Sequence, residues 1–520
     1  MNTAFRYDGS DLDRLAKSYM NDGIHAVHYL KQYNNRSVTE NGASEYRTTL
    51  HPLLDLNFMV SSLRNRKEEF IVENFIKAYY DSPKYAVKWL FFLRDIAEGL
   101  GERRTFQICM RYLAESHTKI SRAVMGLIPE YGRYDDLLLF LQTSLSDEVC
   151  KFMKEQLDKD TVAMQENKPV SLLAKWLPSN NTSSRKACQM ARFIAGQWGM
   201  SDREYRKRLA ELRKYENIVE VKMSSSQWET IEYEKVPAKA NLKYNSAFER
   251  HDQQGRAKYL LNVLEGNAQL NGKGIMPYEV VHRFGKNGYL SRVLKDDLLA
   301  ELMWGKLREQ GFQNEWGLED CMVVADGSGS MYTNASGSTS VTAIEICDSL
   351  AIYFAEQLKG VFHNKAITFS EHPRFIDLQN GNSLKEKLEI MLAYDEVANT
   401  NIEAVFDMLL DMALSHEVPA EEMPKQLLII SDMEFDQASA PNSWRKSENK
   451  WKKFTPTLFE TIERNYQREG YQIPRLIFWN VCGRTNTIPK VEHENGICLL
   501  SGFSQNAMKI ASNKEIRDPY

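Results

Sequence analysis

The sequence predicts a multidomain protein in which an α-helical N-terminal module precedes a doubly wound α/β domain. Three observations carry this reading. The chain has 520 residues, too many for a single hydrophobic core. Residues 1–315 hold many apolar positions at helical spacing and few strand-like runs. Residues 316–520 alternate short apolar runs with helical segments, as a parallel sheet with crossovers requires.

In the N-terminal module, the stretch from Glu69 to Tyr80 places apolar groups at i, i+1, i+5, i+6 and i+9, which predicts a helix. Segments 85–93, 105–113 and 137–142 continue the pattern, separated by short turns as in stacked helix pairs. Residues 202–215 read as a further helix. Residues 216–241 lack a helical period, being broken by Ser224, Ser225 and Ser226 and by Pro237. They are expected to form an irregular insertion, with room for a hairpin over 218–236. Trp228 inside it is either a docking anchor or a core aromatic. The Gly-flanked polar stretch from Gly311 to Gly317 marks the join, so the boundary is expected at 315/316.

In the second module, 321–325 and 426–430 are uninterrupted apolar runs of the kind buried in parallel sheets. Further strands are expected at 366–370, 475–481 and 496–500. Helices are expected at 341–358, closed by Gly360, at 383–394, from Ile402 onward, and at 504–511.

Composition bounds the surroundings. A hydrophobic content of 43% and an aromatic content of 11% describe a packed chain. No segment approaches twenty uninterrupted apolar residues, and the first eight residues carry no apolar signal core, so no membrane association is expected. Seven scattered cysteines, several inside apolar runs, read as reduced core thiols. A soluble, cytoplasmic protein is the expectation. Net charge −4 and a pI near 6.3 argue against a nucleic-acid binder charged over its whole surface. Basic groups are nonetheless locally dense at Arg64, Arg66 and Lys67, at Arg103, Arg104 and Arg111, and at Arg203, Arg206, Lys207, Arg208, Arg213 and Lys214.

The run 321–325 stops at Asp326-Gly-Ser328-Gly-Ser330. The carboxyl ends of strands are where open α/β sheets place ligands. One carboxylate and two hydroxyls spaced two apart can turn three hard oxygens toward one point, a donor set for Mg²⁺ or Mn²⁺ rather than zinc or copper. Two later segments match: Thr400 on the loop entering the helix at Ile402, and Asp432 just past the run 426–430. There is no phosphate loop, no His-Glu-x-x-His and no Cys-x-x-Cys, and His363, His372 and His416 are isolated. The chain therefore reads as non-catalytic; a metal-dependent hydrolase is the weakest of the readings weighed.

The ordered set Asp326, Ser328, Ser330, Thr400 and Asp432 resembles the metal-ion-dependent adhesion site of von Willebrand factor A domains. The resemblance implies Mg²⁺ or Mn²⁺ held by these five residues and a protein partner whose acidic residue binds at the metal. The chain departs from the pattern in three places. Val397-Ala398-Asn399 rather than a Gly pair precedes Thr400, Met433-Glu434 rather than Gly follows Asp432, and the loop 332–340 is long. Leu93-Arg94-Asp95 through Gly99-Leu-Gly101-Glu102-Arg103-Arg104, Gly132-Arg133-Tyr134-Asp135-Asp136-Leu137, and 273–281 are similar to segments of Ro ribonucleoprotein (TROVE-type) relatives. This resemblance implies a HEAT-like ring or solenoid of helices, and small structured or misfolded non-coding RNA as a partner. Arg103, Arg104, Arg203, Arg206, Lys207, Arg208, Arg213 and Lys214 are the candidate RNA contacts. The function expected is thus a metal-dependent binding or scaffold protein, with a Ro-like RNA-binding role as the alternative.

Overall fold

A computed structural model describes residues 36–38, 44–46, 51–285, 290, 291, 293–313, 320–337, 339–370, 372–394, 402–433, 456–483 and 497–511. The chain divides into two compact units. Among the described residues, 68–274 form a helical unit, and the remainder, on either side of it in sequence, form a unit built on a mixed sheet.

In the helical unit, helices Glu68–Asp81, Pro83–Arg94 and Arg103–Ser116 form where the apolar spacing placed them. Pro83 begins its helix, where a missing N–H is harmless. Phe91 meets the edges of Phe106 and Tyr131, with ring centroids 6.0 and 5.1 Å apart. Tyr134–Gln142 is a 3₁₀ segment. Helix Asp202–Tyr215 starts in a capping box: the Ser201 hydroxyl accepts from the Glu204 amide, and the Glu204 carboxylate accepts from the Ser201 amide at 2.7 Å. It buries Tyr205, Leu209 and Leu212. Residues 216–241 differ from expectation: they form helix Val219–Ser224, two 3₁₀ turns and the start of helix Ala238–His251, with no hairpin. Their short elements are held by aromatic packing, which a periodicity argument does not register. Trp228 stacks on His251 at 4.4 Å and Tyr233 on Tyr259 at 5.4 Å, so Trp228 serves as a packed aromatic.

In the sheet unit, Arg36–Val38 (β1) and Ser44–Tyr46 (β2) pair as an antiparallel hairpin. Cys321–Ala325 (β3), Lys365–Thr368 (β4), Phe375–Asp377 (β5), Gln426–Ser431 (β6), Arg475–Asn480 (β7) and Ile497–Ser501 (β8) form one sheet in the order β5-β4-β3-β6-β7-β8. All pairs are parallel except the edge pair β4/β5. Met322, Val324, Leu427, Ile429, Leu476 and Phe478 form a common core with Val405, Phe406 and Leu409 of helix Ile402–Ser415 and with Ile462 and Tyr466 of helix Pro456–Arg468. The Tyr466 hydroxyl donates to the Phe406 carbonyl at 2.7 Å. Helix Ala343–Ala355 packs against β3 and is buried along its whole length. It ends at Ala355 rather than near 358, while Gly360 adopts positive φ (56°) in the turn that follows.

The sheet unit also holds two stretches that sequence reading assigned to the helical module. In helix Pro52–Phe58 and the turns after it, Phe58 joins the core just described. The Ser61 hydroxyl donates to the Asn480 carbonyl at 3.0 Å and accepts from the Gly502 amide at 3.0 Å, joining the ends of β7 and β8. Trp304 of helix Leu298–Gln313 donates to Glu356 at 2.9 Å, and Lys387 pairs with the same buried carboxylate at 2.6 Å. Helical periodicity identifies a helix but not the unit whose core it completes.

Candidate metal centre

β3 and β6 are adjacent parallel strands, with Ala325 opposite Ile430. From β3 the chain turns to β4 and β5 on one side, then crosses to β6 on the other. The carboxyl ends of β3 and β6 therefore flank a topological switch point, where open sheets leave a crevice. The ladder runs one residue past β3, since the Asp326 amide donates to the Ile430 carbonyl at 3.2 Å. This sets the Asp326 side chain beside Ser431, whose hydroxyl donates to Asp326 Oδ2 at 2.6 Å. The Ser328 amide donates to Asp326 Oδ1 at 2.9 Å, closing an Asx turn. That turn brings the Ser328 and Ser330 hydroxyl oxygens to 3.0 Å of each other. Asp432, directly after β6, is fully buried, and Asp326 is 4% exposed.

The electrostatics follow from burial. Desolvation pushes the Asp326 carboxyl up to about 6, and the nearby Asp432 charge adds to the push, against the hydrogen bonds from Ser431 and Ser328. Two carboxylates held out of water at close quarters are costly without a counter-charge. The hydrogen bonds to Asp326 come from serine groups, not from Lys or Arg. Carboxylates and hydroxyls from Asp326, Ser328, Ser330 and Asp432 suit a hard divalent cation. Among the described residues no three His, Cys, Asp or Glu side chains group as a metal site, so a cation here would rest on two carboxylates and hydroxyl oxygens. The Cys347 thiol beneath the site donates to the Ile430 carbonyl at 3.5 Å and is raised well above its ordinary value by burial. Thr400 lies outside the described residues.

Met433, which directly follows Asp432, has φ 63° and is buried, with its amide donating to the Ser431 hydroxyl at 3.0 Å. Ser431 was not singled out from sequence. The signal was available: aligning the two apolar runs end to end sets a hydroxyl opposite Asp326.

The basic residues divide into two groups. Arg103 is tied into an ion network in the helical unit, bonding Asp135 at 2.6 Å and Asp136 at 2.8 Å. Buried Arg94 bonds the same Asp136 at 2.6 Å, and Arg133 bonds Asp135 and stacks over Trp176 at 4.0 Å. Arg208 bonds Asp158 and the Thr161 hydroxyl. Arg213 donates to the Ala174 and Leu177 carbonyls and the Ser179 hydroxyl, each at 2.8 Å. Arg104, Arg203, Arg206, Lys207 and Lys214 are exposed. At 100° per residue, Arg203, Arg206, Lys207 and Lys214 fall within roughly a 100° arc opposite the buried Tyr205, Leu209 and Leu212.

Residues 320–518 match a family model described as a domain of unknown function (DUF7788), and residues 142–309 match a second described in the same way (DUF2828). The limits 309 and 320 flank the join at 311–317, whereas the spatial units part at 67/68 and 274/275. The chain is 29% identical over 521 residues to uncharacterized protein L728 of Acanthamoeba polyphaga mimivirus, covering 93% of this chain and 86% of that protein. The crystal structure of the Deinococcus radiodurans Ro (RSR) protein aligns with 88% of this chain and 93% of its own, at 11% identity and a TM-score of 0.42. Among the described residues, no helix is long and apolar enough to cross a membrane.

Proposed function

We propose that this chain is a non-catalytic, divalent-cation-dependent binding protein whose sheet unit works as a von Willebrand factor A-type module. The observation that carries the proposal is the switch-point cluster: two buried carboxylates, Asp326 and Asp432, with the Ser328 and Ser330 hydroxyls 3.0 Å apart. In this reading Asp326, Ser328, Ser330, Thr400 and Asp432 hold Mg²⁺ or Mn²⁺. The bound ion supplies an open coordination position for a partner's carboxylate. The protein's own contribution is to fix the oxygens: Ser431 orients Asp326, and the Asx turn orients the two hydroxyls. The test is calorimetric titration of the full chain with Mg²⁺ and Mn²⁺. Binding should be abolished in Asp326→Ala with the circular dichroism spectrum retained; equal affinity in the variant and the parent overturns the proposal.

A second reading rests on the exposed stripe Arg203, Arg206, Lys207 and Lys214. In it, the helical unit binds the phosphate backbone of small structured RNA independently of the cation. Charge reversal of Arg206 and Lys207 should then weaken RNA binding evenly across sequences, and each lost contact should reduce the salt slope by somewhat less than one. Asp326→Ala should leave that binding unchanged. An unaltered salt slope in the reversed variant rejects the stripe as the RNA contact.

A further inference from the structure

Ser330 is tied to a histidine outside the metal cluster by hydrogen bonds that meet at the backbone of Thr342 and Ala343. Thr333 donates to the Ser330 carbonyl twice, from its amide at 3.2 Å and its hydroxyl at 2.8 Å. The Thr333 carbonyl accepts from the Ala343 amide at 3.1 Å, the first residue of helix Ala343–Ala355. That helix start is fixed by Glu345, whose Oε2 accepts from the Thr342 amide at 2.8 Å. Glu345 Oε1 bonds His282 Nδ1 at 3.0 Å. Glu345 is fully buried and His282 is 29% exposed.

A buried carboxylate with only some of its hydrogen bonds is expensive, so Glu345 depends on the His282 ring. His282 belongs to the stretch after residue 275 that completes the sheet unit, directly after helix Pro277–Val281, whose Tyr278 ring meets Phe503 edge-on at 5.8 Å. We infer that His282 is a positioning residue for the Ser328–Ser330 side of the cation site, acting through buried Glu345 on the start of helix Ala343–Ala355. The inference rests on the cation reading above. His282 takes no part in ligation; it holds in place the loop that presents the two hydroxyls.

The ring has its own pH signature. The hydrogen bond to Glu345 raises the proton affinity of His282, while burial and the Lys295 charge oppose it. Because the folded state binds the proton more tightly, the stability from this pair is full below the ordinary histidine range. It is lost as pH rises through the raised value.

The experiment uses the full-length chain and two readouts. The first is Mg²⁺ and Mn²⁺ affinity by calorimetry for the parent, His282→Ala, His282→Asn, Glu345→Gln and Asp326→Ala. The expected losses are about tenfold for His282→Ala and Glu345→Gln, the scale on which residues behind a ligand act. His282→Asn, whose amide can donate from the Nδ1 position, should restore most of the affinity. The second is the melting temperature without cation between pH 5.5 and 8. The advantage of the parent over His282→Asn should shrink as pH rises, an outcome that simple loss of packing would not give. Parent-like affinity in His282→Ala, with Asp326→Ala still deficient, overturns the inference and leaves the cation reading standing. Parent-like affinity in Asp326→Ala overturns the cation reading itself. Should His282→Ala fail to fold, Glu345→Gln and His282→Asn decide: equal affinity in the two, or a pH-independent stability difference, overturns the inference.

Discussion

At the scale of single residues, two side chains are held where the backbone or the solvent would not choose to put them. Met433 sits in the left-handed region at φ 63°, which costs a non-glycine residue about 1 kcal/mol. Its side chain is buried in the core with Phe58, Val405 and Phe478, a burial that offsets the strain. Met433→Gly should relieve the backbone yet lose stability by roughly 1–3 kcal/mol on urea denaturation, because the emptied volume costs more than the strain. A stabilised variant would show that the conformation, not the packing, dominates. Glu216 has both carboxylate oxygens buried without a hydrogen-bond partner, at the carboxyl end of helix Asp202–Tyr215. Burial first, then the Asp160 charge, raises it from 4.5 to about 7, and the helix dipole there disfavours a negative charge. The folded state therefore holds this proton more tightly than the unfolded chain. Its stabilisation is complete below about pH 4.5 and disappears as pH climbs through about 7. Glu216→Gln should melt with the parent near pH 5 and above it at pH 8; parallel profiles would exclude Glu216 as the source.

At the scale of elements, the junction after helix Pro83–Arg94 depends on one close approach. A Cβ on Gly132 would lie 2.7 Å from Asp136 Oδ2 and 3.0 Å from Arg94 Nε. Gly132→Ala must displace a buried ion pair, and a loss of about 2–4 kcal/mol is expected in chemical denaturation. A loss below 0.5 kcal/mol would mean the network shifts freely. The elements also show what the sequence made legible. β3, β6 and β7 are continuous apolar runs because both faces of the sheet are covered, so each could be read directly. β5 spans three residues and pairs only along one edge, too short for any periodic signal. Helix Pro456–Arg468 buries Ile462 and Tyr466, an i, i+4 pair too sparse to stand out as a helical period. In the candidate site, the spacing of Asp326, Ser328 and Ser330 declared itself because the chemistry is local. Ser431 and His282 did not, since their roles arise from strand register and from contacts across 63 residues of chain.

At the scale of the molecule, the sheet unit is assembled from separated stretches of sequence. Residues 316–520 alone would lack Phe58, the Ser61 bonds to β7 and β8, the His282–Glu345 pair and Trp304 on Glu356. A chain beginning at residue 316 should therefore unfold well below the full-length protein in a thermal scan. Linking 51–67 and 275–315 back to it should recover much of the difference. If the short chain melts with the parent, these contacts are dispensable.

The bond between Ser61 and Ser501 spans 440 residues of chain. A ribosome adding roughly 5–20 residues per second needs about 20–90 s to make that stretch. During that interval Leu56, Phe58 and Leu63 emerge well before β7 and β8 exist, and the helical unit, residues 68–274, is completed partway through it. The nascent chain thus carries an unsatisfied apolar segment throughout synthesis. That segment is where a chaperone would be expected to dwell, and slowed translation should lower the yield of folded protein.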